Sequence, residues 1–108
     1  MLTKRLFRFG YETPGQAERN ATHGWDDEDS TGVWIASVSA DEAMRWGRTI
    51  AEQFVSSLFA ESGNAYLWTS DGFAHWIEDD PAVLASASDF PVVAVGELPD
   101  FAAMRGSA

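Results

Sequence analysis

The sequence has no cysteine, and residues 49–104 contain no lysine or arginine. The first absence excludes disulfides, cysteine-based zinc sites and thiol catalysis. The second leaves nine Asp and Glu in that stretch with no cation of its own. Residues 1–48 hold six Lys and Arg against eight Asp and Glu, and the whole chain carries a formal charge of −10. Nucleic-acid binding uses Lys and Arg to displace counterions from phosphates, so this balance argues against it. It argues equally against an anionic membrane surface. A basic protein or a metal cation is what such a field attracts, although an acidic balance also serves solubility alone. No run approaches the roughly 18 consecutive apolar residues of a membrane span. Lys4, Arg5 and Arg8 have no apolar run behind them, so no secretory signal is expected, and the cytoplasm is the expected location.

What is present is apolar side chain: 45% of the 108 residues are hydrophobic and 13% aromatic, with five Trp and seven Phe. That much apolar surface can offset chain entropy, which rules out a disordered acidic tail. The length predicts a single compact domain over 1–108, burying roughly 65% of its unfolded surface.

Periodicity then divides the chain. Phe7, Phe9 and Tyr11 alternate with Arg8 and Gly10, the period of a strand, within residues 2–11. Thr13-Pro14-Gly15-Gln16 has the form of a helix start, with Thr13 as cap and Gln16 closing a capping box; Gly24 is its left-handed stop. Residues 31–38 read as a strand apolar on both faces. Ser39-Ala40-Asp41-Glu42 opens a long helix over about 40–60, with a cap, a box and two acids at the positive end of the dipole. Ala43, Gly47, Ile50, Ala51, Phe54 and Leu58 form its apolar stripe. A glycine inside that stripe implies a close approach of another element.

Residues 65–69 and 72–78 read as a hairpin about Ser70-Asp71-Gly72, and 91–96 as a last strand behind Pro91. Residues 82–89 fit a short helix or a loop, and 98–104 a terminal helical turn. The expected class is α+β: a single sheet of about five mostly antiparallel strands, the long amphipathic helix packed on one face, and one or two short helices. One long helix is too narrow to shield both faces of such a sheet, so the weak first helix, the 82–89 segment or a second chain must cover the rest. The expectation is therefore that part of the second face serves as a docking surface, for a protein partner of basic character or for a second copy of the chain.

Aromatics are enriched at interfaces, so Trp25, Trp34 and Trp76, with Asp79 and Asp80, are the candidate partner-binding residues; the bland alternative is that the indoles simply fill the core. His75 lies on an apolar strand face, where a histidine is ordinarily a satisfied structural residue. The sharper alternative is a small enzyme or ligand-binding domain in which His75 is a general base oriented by Asp71, Glu78 or Asp79 in a Trp-lined pocket. His23, Asp27 and Asp29 are candidate metal ligands in a segment that otherwise reads as a solvated acidic loop. Residues 27–32 match the first half of a calcium loop, but the twelfth position is Val38 where a Glu is needed. No nucleophile elbow, dinucleotide loop or P-loop is present, and no cofactor is expected. The favoured expectation is a non-enzymatic interaction module.

Overall fold

The computed structural model describes residues 2–24, 28–60 and 68–104. In chain order the elements are β1 (Thr3–Tyr11), α1 (Pro14–His23), β2 (Asp29–Ser37), α2 (Ala40–Phe59), β3 (His75–Glu78), α3 (Pro81–Ser86), β4 (Val92–Ala94) and α4 (Phe101–Met104). The fold is α+β, with the strands forming one mixed sheet in the order β3-β1-β2-β4.

The helix ends follow their local chemistry. Thr13 Oγ1 accepts the Gln16 N–H while Gln16 Oε1 accepts the Thr13 N–H, and Gly24 closes α1 at φ 70°. Ser39 Oγ caps α2 by accepting the Glu42 N–H. The return arm of that box lands one residue early: Glu42 Oε1 accepts from the N–H of Val38.

Register fixes the two faces of the sheet. β1 pairs antiparallel with β2, Phe7 opposite Val33, and antiparallel with β3, Phe7 opposite Ile77. β2 pairs parallel with β4, Ile35 opposite Val93. Strand side chains alternate, so Phe7, Phe9, Val33, Ile35, Ile77 and Val93 share one face. α2 lies on it, burying Ala43, Gly47, Ile50, Ala51, Phe54, Val55 and Phe59. The core is aromatic: Phe54 meets Phe9 and Tyr11 edge-on, with ring centroids 5.9 and 5.1 Å apart. Gly47 is the close approach. A Cβ built there would sit 2.6 Å from Phe7 Cε1 and closer still to Cγ and Cδ1.

Two expectations are corrected. Among the described residues the sheet has four strands where about five were expected; two of its three pairings are antiparallel, as expected, and one is parallel. Trp68 and Thr69 are not in a strand, and the second arm of the expected hairpin begins at His75 rather than Gly72; the remainder of the first arm, 65–67, lies outside the described residues. A turn does form, Thr69 O accepting the Gly72 N–H at 3.2 Å. The sheet face away from α2 is covered in part by the 82–89 segment, one of the covers that the sequence offered. β3 and β4 are parallel and sit at opposite edges, so the chain between them must cross the sheet. This crossover and the β2–α2–β3 crossover run in opposite directions, and they can share the preferred hand only on opposite faces. The 79–91 segment thus covers the middle of the second face: Leu6 is fully buried there, and the Trp34 indole N–H donates to Ala87 O at 2.9 Å.

Candidate functional site

The second face carries Lys4, Leu6 and Arg8 from β1, Gly32, Trp34 and Ala36 from β2, Trp76 and Glu78 from β3, and Val92 and Ala94 from β4. The crossover divides what remains open. On one side of it stands Trp76, 37% exposed, its ring faced by the Arg8 guanidinium 5.8 Å away and its indole N–H donating to Glu78 Oε1 at 3.2 Å. On the other side lies the corner where β1 begins, β2 ends and β4 forms the edge. Continuing the alternation one step past the Thr3–Ser37 pair brings Leu2 and Val38 to this face, beside Ala36 and Ala94.

Exposed aliphatic side chains stand at the strand ends. Leu2, Val38 and Val92 are 61%, 59% and 54% exposed, and Val95 and Leu98, which follow β4, are exposed as well. Trp76 is the remaining exposed large apolar side chain among the described residues. Leu2, Val38 and Val92 share the second face with Ala36 and Ala94, whereas Val95 continues the alternation of Val93 toward the α2 face and the Glu97 carbonyl before Leu98 accepts the Trp46 indole N–H of α2. Carboxylates lie in the flanking segments: Asp79 and Asp80 follow β3 at the opposite edge, Glu97 follows β4, and Glu42 Oε1 accepts the Val38 N–H, while exposed Lys4 stands on the face itself beside Ala36.

At the outer edge of β4 the chain engages Ala94: Glu97 Oε1 accepts the Ala94 N–H at 2.8 Å and the Ala94 carbonyl accepts the Glu97 N–H at 3.0 Å. Both backbone groups of Ala94 are thereby withheld from an added strand.

The candidate partner residues separate. Trp34 is half-buried beneath the crossover with Lys4 Nζ 6.0 Å from its ring centre, Trp76 stays exposed on the far side, and Trp25 lies outside the described residues. Asp79 and Asp80 are exposed; Asp80 also caps α3, its Oδ1 accepting the Ala82 N–H at 2.9 Å. The two other indoles are satisfied by the chain. Trp68 is buried with its N–H donating to Gly10 O, and Trp46 donates to Glu97 O.

His75 is half-buried on the α2 face, and its ring bonds lead away from the acids. Arg48 Nε–H donates to His75 Nε2 at 3.0 Å, and His75 Nδ1 lies 3.1 Å from Phe73 O, the geometry of a neutral ring protonated at Nδ1. Glu78 projects from the opposite face of β3 by alternation, and Asp71 is exposed in the turn before it. The arrangement therefore does not bring His75, Asp71 and Glu78 together. His23 is exposed at the end of α1, Asp29 Oδ1 accepts from Gln16 Nε2 at 3.1 Å, and Asp27 lies outside the described residues. Among the described residues no group of three or more His, Asp or Glu is placed to hold a metal ion, and no helix is long and apolar enough to cross a membrane.

The sequence reading missed Leu2, Val38 and Val95 as surface. Each is an ordinary aliphatic residue at a strand end, where pattern alone cannot tell the last covered position from the first uncovered one. In comparison with known proteins, no family model matches the chain, and neither a curated protein nor a solved structure matches it.

Proposed function

We propose that this chain is a non-enzymatic interaction module that docks a protein on the open corner of its second sheet face. The exposure of Leu2, Val38 and Val92 on this face, with Ala36 and Ala94 between them, carries this reading. Apolar side chains left in water by a fold that covers the neighbouring Leu6 and Trp34 favour a partner that removes them. The engagement of Ala94 by Glu97 favours face docking over strand addition at β4, and the tied-off ring of His75 argues against acid–base chemistry there.

A photo-crosslinking residue at position 38 or 92, compared with one at position 53 on the exposed side of α2, tests the reading in the cells that make the protein. Specific protein adducts should form from 38 and 92 and be absent from 53. Adducts from 53 with none from 38 and 92 would overturn it.

A further inference from the structure

The same corner also indicates what kind of protein it takes. We infer that the partner presents cationic side chains around an apolar centre, an inference resting on the docking reading above. The segment that crosses and borders the second face, residues 78–100, supplies Glu78, Asp79, Asp80, Asp89, Glu97 and Asp100 and no Lys or Arg. Of the nearby cations, Arg5 shares the α2 face of β1 and is tied to Ser37, and Lys4 stands on the second face over an indole. Arg5 Nη1 donates to Ser37 O at 2.9 Å and to Ser37 Oγ at 3.0 Å, and Lys4 sits against the Trp34 ring. An apolar shelf with a carboxylate rim matches a partner with the reverse rim, which gains both apolar burial and electrostatic steering.

A second copy of the chain fits less well. It would bring another body of charge −10 against the first, with Lys4 as the one cation that each copy presents on the open side of this face among the described residues. The corner therefore holds the chain monomeric at low salt while leaving it open to a basic surface. Attraction of this kind reaches only about 10 Å at 0.1 M salt, so rim carboxylates act where distant ones do not.

The test uses a synthetic peptide alternating lysine and leucine, its glutamate–leucine counterpart, and the full-length protein. The lysine peptide should bind and the glutamate peptide should not; equal binding overturns the inference. The rim variant Asp79→Asn with Glu97→Gln keeps an acceptor for the Ala94 N–H and removes two charges. It should weaken binding about three- to tenfold, and a remote pair, Glu18→Gln with Glu52→Gln, less than about twofold. Equal loss from both pairs means that only net charge is sensed, and the inference falls. The apolar variant Val38→Ser with Val92→Ser separates the two claims. Binding lost with this variant but unaffected by the rim pair keeps the docking surface and removes its cationic preference. Binding unaffected by the apolar variant removes the docking surface itself.

Discussion

Replacing Gly47 by alanine opposes two well-characterised effects, and the structure decides between them. In the interior of a helix, Gly to Ala ordinarily stabilises by about 1 kcal/mol through backbone entropy. Here the added Cβ would fall within the van der Waals envelope of the Phe7 ring, with Cγ, Cδ1 and Cε1 all under 3.0 Å from it. The ring has no room to retreat. Phe7 is fully buried, its ring centre 5.7 Å from that of Phe9 and 6.1 Å from that of His75. Overpacking of a tight core costs about 1–3 kcal/mol, and a rigid, enclosed ring places this site at the upper end. The net expectation for Gly47→Ala is a loss of about 2 kcal/mol. In urea unfolding with an unchanged slope, that moves the midpoint down by about 1 M. The companion variant Phe7→Leu removes the ring. In that background Gly47→Ala should be neutral or stabilising by up to about 1 kcal/mol, so the cycle yields a coupling of about 2 kcal/mol. A Gly47→Ala protein more stable than the parent, or a coupling near zero, would refute the packing of α2 directly on β1 at this residue.

Other expectations follow from single bonds. Trp34→Phe leaves the Ala87 carbonyl without its indole donor and should cost about 1–2 kcal/mol, with faster amide exchange along residues 81–87; exchange unchanged there would mean that the crossover is held by other contacts. Ser39→Ala removes the α2 cap and should cost about 1 kcal/mol by chemical denaturation. Glu97→Ala uncovers the Ala94 amide, which should then exchange faster in hydrogen–deuterium measurements, whereas Glu97→Gln should leave it protected. Long-range proton–nitrogen NMR spectra of His75 at neutral pH should show the ring protonated at Nδ1; a ring protonated at Nε2 would contradict its acceptance of the Arg48 N–H.

Much of this protein was legible along the chain, because the signals that set it act over a few residues. The Thr13 and Ser39 caps, the Gly24 stop, the alternation from Phe7 to Tyr11 and the stripe from Ala43 to Phe54 place α1, α2, β1 and β2 with little displacement. Even the close contact at Gly47 was implied by a glycine in an apolar stripe. The charge of −10 is likewise a property of composition, independent of folding.

Tertiary structure decided the rest. Whether a strand from one end of the chain lies beside one from the other, as Phe7 does beside Ile77, depends on loop closure and the packing of the whole core, and neither leaves a local mark. The parallel placement of β4 sent the 79–91 crossover over the second face, giving Trp34 a partner at Ala87, fifty-three residues away. That crossover covered the indole the sequence had suggested as surface and left the aliphatic corner open. His75 received Arg48 from α2 where a carboxylate had been considered, because β3 turns its acid, Glu78, to the opposite face. Sequence fixes which side chains can be buried together; which of them stay in water depends on the path the chain takes to cover them.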